Sequence, residues 1–149
     1  MRRHYNLRIA AGAAERLRIE VGSAYPLEQE LSGEVAGIDA ISRLPRRAHV
    51  TSEEVREALA APLLAIVEAI KATLDDCSAE LVSDLLDNGL VLAGGAALTR
   101  GLDRYLSEQT GLPTRLCAEP LSAVSRGTYI CLEHFDRWRS AVQSGDEDV

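Results

Sequence analysis

Apolar residues recur at every third or fourth position through the middle of the chain: Val55, Leu59, Leu63, Ile66, Val67, Ile70 and Leu74. This spacing gathers them on one face of an α-helix and predicts an amphipathic helix there. Thr51-Ser52-Glu53-Glu54 marks its start as a capping box, with Thr51 at the N-cap and Glu54 three residues on. Pro62 interrupts the pattern. Proline lacks an N–H and crowds the carbonyl four residues back, so a kink is expected at Pro62, or a break with Pro62 in the first turn of a second helix.

Upstream, Ala13 to Val21 is a helix candidate stopped by Gly22. Short apolar runs surround it: Ile19-Glu20-Val21 leading into Ala24-Tyr25-Pro26, then Glu34-Val35-Ala36 before Gly37, then Ala48-His49-Val50 after Pro45. They predict two or three short strands of a small antiparallel sheet. Downstream, Ser78 is placed to cap a helix that Asn88-Gly89 closes. A strand follows at Leu90–Ala93, then a helix with Leu98, Leu102, Tyr105 and Leu106 on one face, ended by Gly111 and Pro113. Thr114–Ala118 is a short strand. Leu121 to Ser140 is expected to be one last helix with Val124, Cys131, Phe135 and Trp138 as its core residues. The acidic end, Gly145-Asp146-Glu147-Asp148-Val149, is expected to be disordered. The second half therefore alternates helix and strand, an α/β pattern.

Composition narrows the function classes. The 149 residues are 46% hydrophobic, enough for one domain with a real core. A net charge of −7, with Lys71 the single lysine and arginines scattered, argues against a surface that grips nucleic acid. Three widely spaced cysteines, Cys77, Cys117 and Cys131, without a CxxC, point to free buried thiols in a reducing compartment and a cytoplasmic location. No apolar run approaches the ~20 residues needed to span a bilayer. The basic N-terminus has no apolar stretch behind it and does not read as a secretory signal. His4, His49 and His134 lack metal-ligand spacing with each other or with the cysteines. The paired carboxylates Glu53-Glu54 and Asp75-Asp76 are helix neighbours that do not face one another.

The chemistry-bearing candidate is "LVLAGGAALTRGLDRYL", Leu90 to Leu106. Gly94-Gly95 sits at the carboxyl end of a strand, where open α/β sheets bind their ligands. A glycine pair lets backbone N–H groups approach a ligand, and a following helix N-terminus favours anions. The same pair also serves as a tight strand-to-helix turn that binds nothing. Neither GxGxxG nor GxxxxGK[ST] is present, so the dinucleotide and P-loop fingerprints both fail.

The stretch "LVLAGGAALTRGLDRYLSEQTGLP" resembles the adenosine motif of the actin-like ATPases, and within them the MreB family of bacterial rod-shape proteins. "RRHYNL", "AAERLRIEVGSAYPLE", "VTSEEVREALAAPLLAIVEAIKATL" and "LCAEPLSAVSRGTY" are similar to that family too, so the resemblance runs from Met1 to about Phe135. It implies an α/β actin-like (ribonuclease H-like) fold, of which this chain is the C-terminal part only. Residues 1–73 correspond to the small α+β subdomain IIB, residues 74–140 to the later portion of subdomain IIA, and residues 141–149 to an acidic tail. Both phosphate loops and the membrane-inserting segments of the family are expected in the other half.

The resemblance further implies roles. Glu15 and Arg18 match the family's Glu-x-x-Lys pair on the adenosine side of the cleft. A carboxylate there accepts from the ribose hydroxyls, and a cationic side chain lies over adenine. Without the resemblance, residues three apart on one helix read first as an exposed ion pair worth about 0.3–0.5 kcal/mol. Gly94, Gly95, Ala96, Ala97 and Leu98 match the glycine loop, with Ala96 in place of a third glycine and Thr99 in place of an apolar residue. The implied function is an ATP-binding cytoskeletal filament that helps set rod cell shape, with ATP and magnesium as the family's cofactors. This chain would hold the adenosine side alone, without ATP turnover of its own. Implied partners are further copies or full-length MreB-like subunits and membrane-associated cell-shape proteins, at the inner face of the membrane. A second possibility is a non-catalytic module that binds or caps MreB filaments.

Overall fold

The computed structural model describes residues 2–143. Among the described residues, one antiparallel sheet, one parallel sheet and six shorter α-helices accompany one long helix. The chain opens with a single helical turn, α1 (Arg2–Tyr5), then β1 (Leu7–Arg8) and α2 (Ala11–Val21). A hairpin follows, β2 (Ser32–Asp39) and β3 (Pro45–Thr51), and then α3 (Ser52–Asp75). Next come α4 (Ala79–Asn88), β4 (Leu90–Leu92), a 3-10 turn (Gly95–Leu98), α5 (Leu102–Thr110), β5 (Thr114–Leu116), α6 (Ala123–Glu133) and α7 (Phe135–Gln143).

The first sheet has the order β1-β2-β3, antiparallel throughout, with Val35 opposite Ala48 and Gly33 opposite Val50. At the hairpin turn, Asp39 Oδ1 accepts from the backbone N–H groups of Ile41 (3.0 Å) and Ser42 (2.9 Å). The second sheet is the parallel pair β4-β5, joined through α5. The expected small antiparallel sheet and the later α/β alternation are both present. Ile19–Val21, however, stays in α2 to its end, and Ser23 makes only an isolated bridge to Arg100.

Helix α3 is the spine. Val55 at its start is buried with Leu7, Leu17, Val21, Val35, Ala48 and Val50. Leu63 and Val67 are buried with Ala24, Leu102 and Leu106, and Leu59 packs against both groups. Burial of this kind contributes about 1.5–3 kcal/mol per large side chain. It explains why α3 runs through Pro62 without the expected break. One backbone hydrogen bond is lost, but the next residue, Leu63, and Val67 anchor the following turns in the core.

Further expectations differ from the structure, among them the burial of the three cysteines, which are only half buried. The helix after the glycines is not continuous: the 3-10 turn ends at Leu98, and α5 begins only after Gly101, which takes a left-handed conformation. The last helix is two helices, broken at His134 (φ −117, ψ 40). Its supposed core residues are not buried: Val124 is 75% exposed, and Phe135 and Trp138 are also open to solvent. Residues 141–143 of the expected tail belong to α7, and residues 144–149 lie outside the described residues.

Candidate functional site

Helix α2 carries Glu15 and Arg18 one turn apart on one face. Leu17 and Val21, buried against the first sheet, fix which face that is. The helix exit is fastened from several sides. Gly22 leaves in an extended conformation so close to the Arg18 carbonyl that a Cβ there would collide with it. Arg56 of α3 donates to Ser23 Oγ (2.7 Å) and the Tyr25 carbonyl (3.1 Å) and pairs with Glu30 at 2.6 Å. Tyr25 donates to Glu108 of α5 at 2.8 Å, with Arg104 over its ring.

Glu15 and Arg18 line a cleft of about 700 Å³ between α1, α2 and α3. Ile9, Leu17, Val55 and Leu59 supply apolar surface, and His4, Tyr5, Glu54 and Glu57 supply polar groups. Tyr5 donates to Glu54 Oε1 at 2.5 Å. That bond, followed by the Thr51 backbone N–H, holds the Glu54 carboxyl below its ordinary value, and the same carboxylate raises the Tyr5 phenol. Glu15 and Arg18 make no salt bridge with each other among the described residues. Both keep donor or acceptor capacity toward the cleft.

The glycine loop occupies the carboxyl end of β4. Gly94 has φ +85 and ψ 170, a conformation open to glycine alone. Its N–H donates to the Pro120 carbonyl at 2.7 Å, which brings in the loop after β5, and Gly95 sits against Leu121. The carboxyl ends of the two parallel strands thus meet at one place. Ala96 and Ala97 lie within the 3-10 turn, and Ala97 is buried. Ala96 is not among the residues with positive φ, so it occupies a helical turn rather than a left-handed one. Leu98 is half exposed.

The loop does not line the cleft wall itself; it touches that wall through Thr99. Arg18 Nη1 donates to Thr99 Oγ1 at 3.3 Å, and Thr99 Oγ1 donates to the Ala96 carbonyl at 2.8 Å. Arg100 then donates to the carbonyls of Ile19 (3.0 Å) and Gly22 (3.3 Å) at the end of α2, while its own carbonyl accepts from Ala24 N–H at 2.8 Å. A cation on the last carbonyls of a helix complements its dipole. Two segments some eighty residues apart are thereby joined, with Arg18 at the seam. The family resemblance singled out Arg18 and the glycine loop but not Arg100 or Pro120, whose parts depend on tertiary pairing. Thr99 registered there only as a departure from an apolar residue.

Comparison with known proteins places this arrangement. The family model described as MreB/Mbl protein matches residues 1–140. The cell shape-determining protein MreB of Escherichia coli (strain K12) is 43% identical over 136 residues, covering 91% of this chain and 39% of that protein. Two crystal structures of MreB5 of Spiroplasma citri superpose on the chain. The one bound to AMPPNP has a TM-score of 0.86 at 30% identity and covers 97% of this chain and 42% of that one. The one bound to ADP has a TM-score of 0.84 at 30% identity, with coverage of 99% and 43%. The chain spans about two fifths of the length of these relatives. Its fold is actin-like α/β, and the chain belongs to the MreB/Mbl family.

Proposed function

We propose that this chain supplies the adenosine side of the nucleotide site of an MreB-like cytoskeletal filament that helps set rod cell shape. The observation that carries the proposal is the seam between α2 and the glycine loop: Arg18 lines the cleft beside Glu15 and bonds the residue that follows Gly94–Leu98. A carboxylate for ribose hydroxyls, a guanidinium for a base and the apolar lining from Ile9, Leu17 and Leu59 suit an adenosine. The MreB5 structures that superpose on nearly the whole chain are bound to AMPPNP or ADP. Among the described residues no group of three His, Cys, Asp or Glu side chains converges. ATP turnover belongs to the assembled site with its phosphate loops. Partners are further MreB-like subunits and cell-shape proteins at the inner face of the membrane.

Titration with a fluorescent ADP analogue tests the proposal. Without phosphate loops the expected affinity is near millimolar, about −4 kcal/mol. Arg18→Ala and Glu15→Gln are expected to weaken it further. Affinity unchanged in both variants, or no binding of ADP by the parent chain, would overturn the assignment. The alternative role, a module that binds or caps MreB filaments, is favoured by the apolar side chains exposed on β4, β5 and α6. Co-sedimentation of the chain with E. coli MreB filaments at a saturating, sub-stoichiometric ratio is the outcome it requires.

A further inference from the structure

We infer that Thr99 is a positioning residue: its hydroxyl holds the Arg18 guanidinium as a flat wall on which a nucleobase stacks. The inference rests on the adenosine assignment of the cleft.

The hydroxyl proton of Thr99 is committed to the Ala96 carbonyl at 2.8 Å. Its lone pairs are therefore free to accept, and Arg18 Nη1 lies at 3.3 Å. No other side-chain hydrogen bond of Arg18 is present among the described residues. Thr99 is itself fixed. Its N–H donates to the Ala96 carbonyl at 3.1 Å, and its neighbour Arg100 is bonded to Ile19, Gly22 and Ala24. The hydroxyl thus keeps its place relative to α2, the helix that carries Arg18. Arginine is rich in rotamers, and ordering it before a ligand arrives removes part of the cost of binding. One tethered nitrogen leaves the planar face of the guanidinium available for stacking, which a lysine ammonium does not offer.

The test uses the full chain with Thr99 intact, Thr99→Ser and Thr99→Val. Nitrogen-15 relaxation of the Arg18 side chain is measured without ligand, and ADP affinity is measured by titration. The Ser variant keeps the acceptor; the Val variant keeps the shape and loses it. The inference expects an ordered Arg18 in the parent and Ser chains and an averaged one in the Val chain. It expects the Val variant to bind ADP about three- to ten-fold more weakly, the range one hydrogen bond commands, and Ser to restore binding. The Val chain also loses the hydroxyl bond to the Ala96 carbonyl, so affinities are compared at a temperature below the melting transition of all three chains. Equal ADP affinity in all three overturns the positioning role and leaves the adenosine assignment standing. An Arg18 equally mobile in all three also overturns it. A parent chain that does not bind ADP removes the adenosine assignment, and this inference with it.

Discussion

Gly94 and Ala96 lie two residues apart and respond oppositely to the same methyl group. At Gly94 a Cβ meets nothing within 4 Å, so the cost of Gly94→Ala is backbone strain alone, about 1–3 kcal/mol at φ +85. Ala96 sits in a 3-10 turn without positive φ. Ala96→Gly is therefore expected to be neutral or to destabilise by up to about 1 kcal/mol. Denaturant titration of both variants checks the pair; a stabilising Ala96→Gly would show that Ala96 is strained. The glycine pair was legible as a strand-to-helix turn from its own residues, and as a binding loop only through the family resemblance of the surrounding stretch. The Arg18–Thr99 bond was not, because no local pattern pairs a helix residue with a threonine eighty positions away.

Helix α3 shows how a local signal carries an element. Its capping box is complete: Thr51 Oγ1 accepts from Glu54 N–H, and Glu54 Oε2 accepts from Thr51 N–H at 2.9 Å. Thr51→Ala is expected to cost about 1 kcal/mol by thermal or denaturant unfolding. Tyr5 adds a long-range partner to the same carboxylate. Because the folded-state pKa of Glu54 is depressed, its contribution is fully present above the unfolded value of about 4.3 and is lost as pH falls through the folded value. Glu54→Gln should lower stability at neutral pH and flatten the acid limb of a stability–pH curve. An unchanged acid limb would show that the Tyr5–Glu54–Thr51 contacts add nothing. Caps and periodicity made α3 readable, whereas its passage through Pro62 depends on Leu63 and Val67 finding a core with Ala24, Leu102 and Leu106. The opposite error came at the C-terminus. Periodicity in α6 and α7 suggested burial, but Val124, Phe135 and Trp138 are exposed in this chain.

At the scale of the whole molecule, two buried clusters share α3, and a broad apolar surface is left uncovered. Val91 on β4, Leu116 on β5 and Leu121, Val124, Ile130 and Leu132 in or beside α6 are all exposed. Scattered apolar residues are ordinary, but this many on neighbouring elements favour association. Concentration-dependent dimers or larger species are expected by light scattering, and a monodisperse monomer at millimolar concentration would contradict this. The family could be read from the sequence because its motifs are spread over nearly the whole chain. Which of those side chains meet could not, since α2 and the glycine loop are joined only in the folded molecule. That junction is the centre of the account, and backbone amide mapping during an ADP titration tests it most directly. The account predicts shifts concentrated in two segments, residues 15–19 and 94–100, appearing together with one affinity. Shifts confined to one segment, or centred elsewhere such as the hairpin turn at residues 40–44, would contradict it.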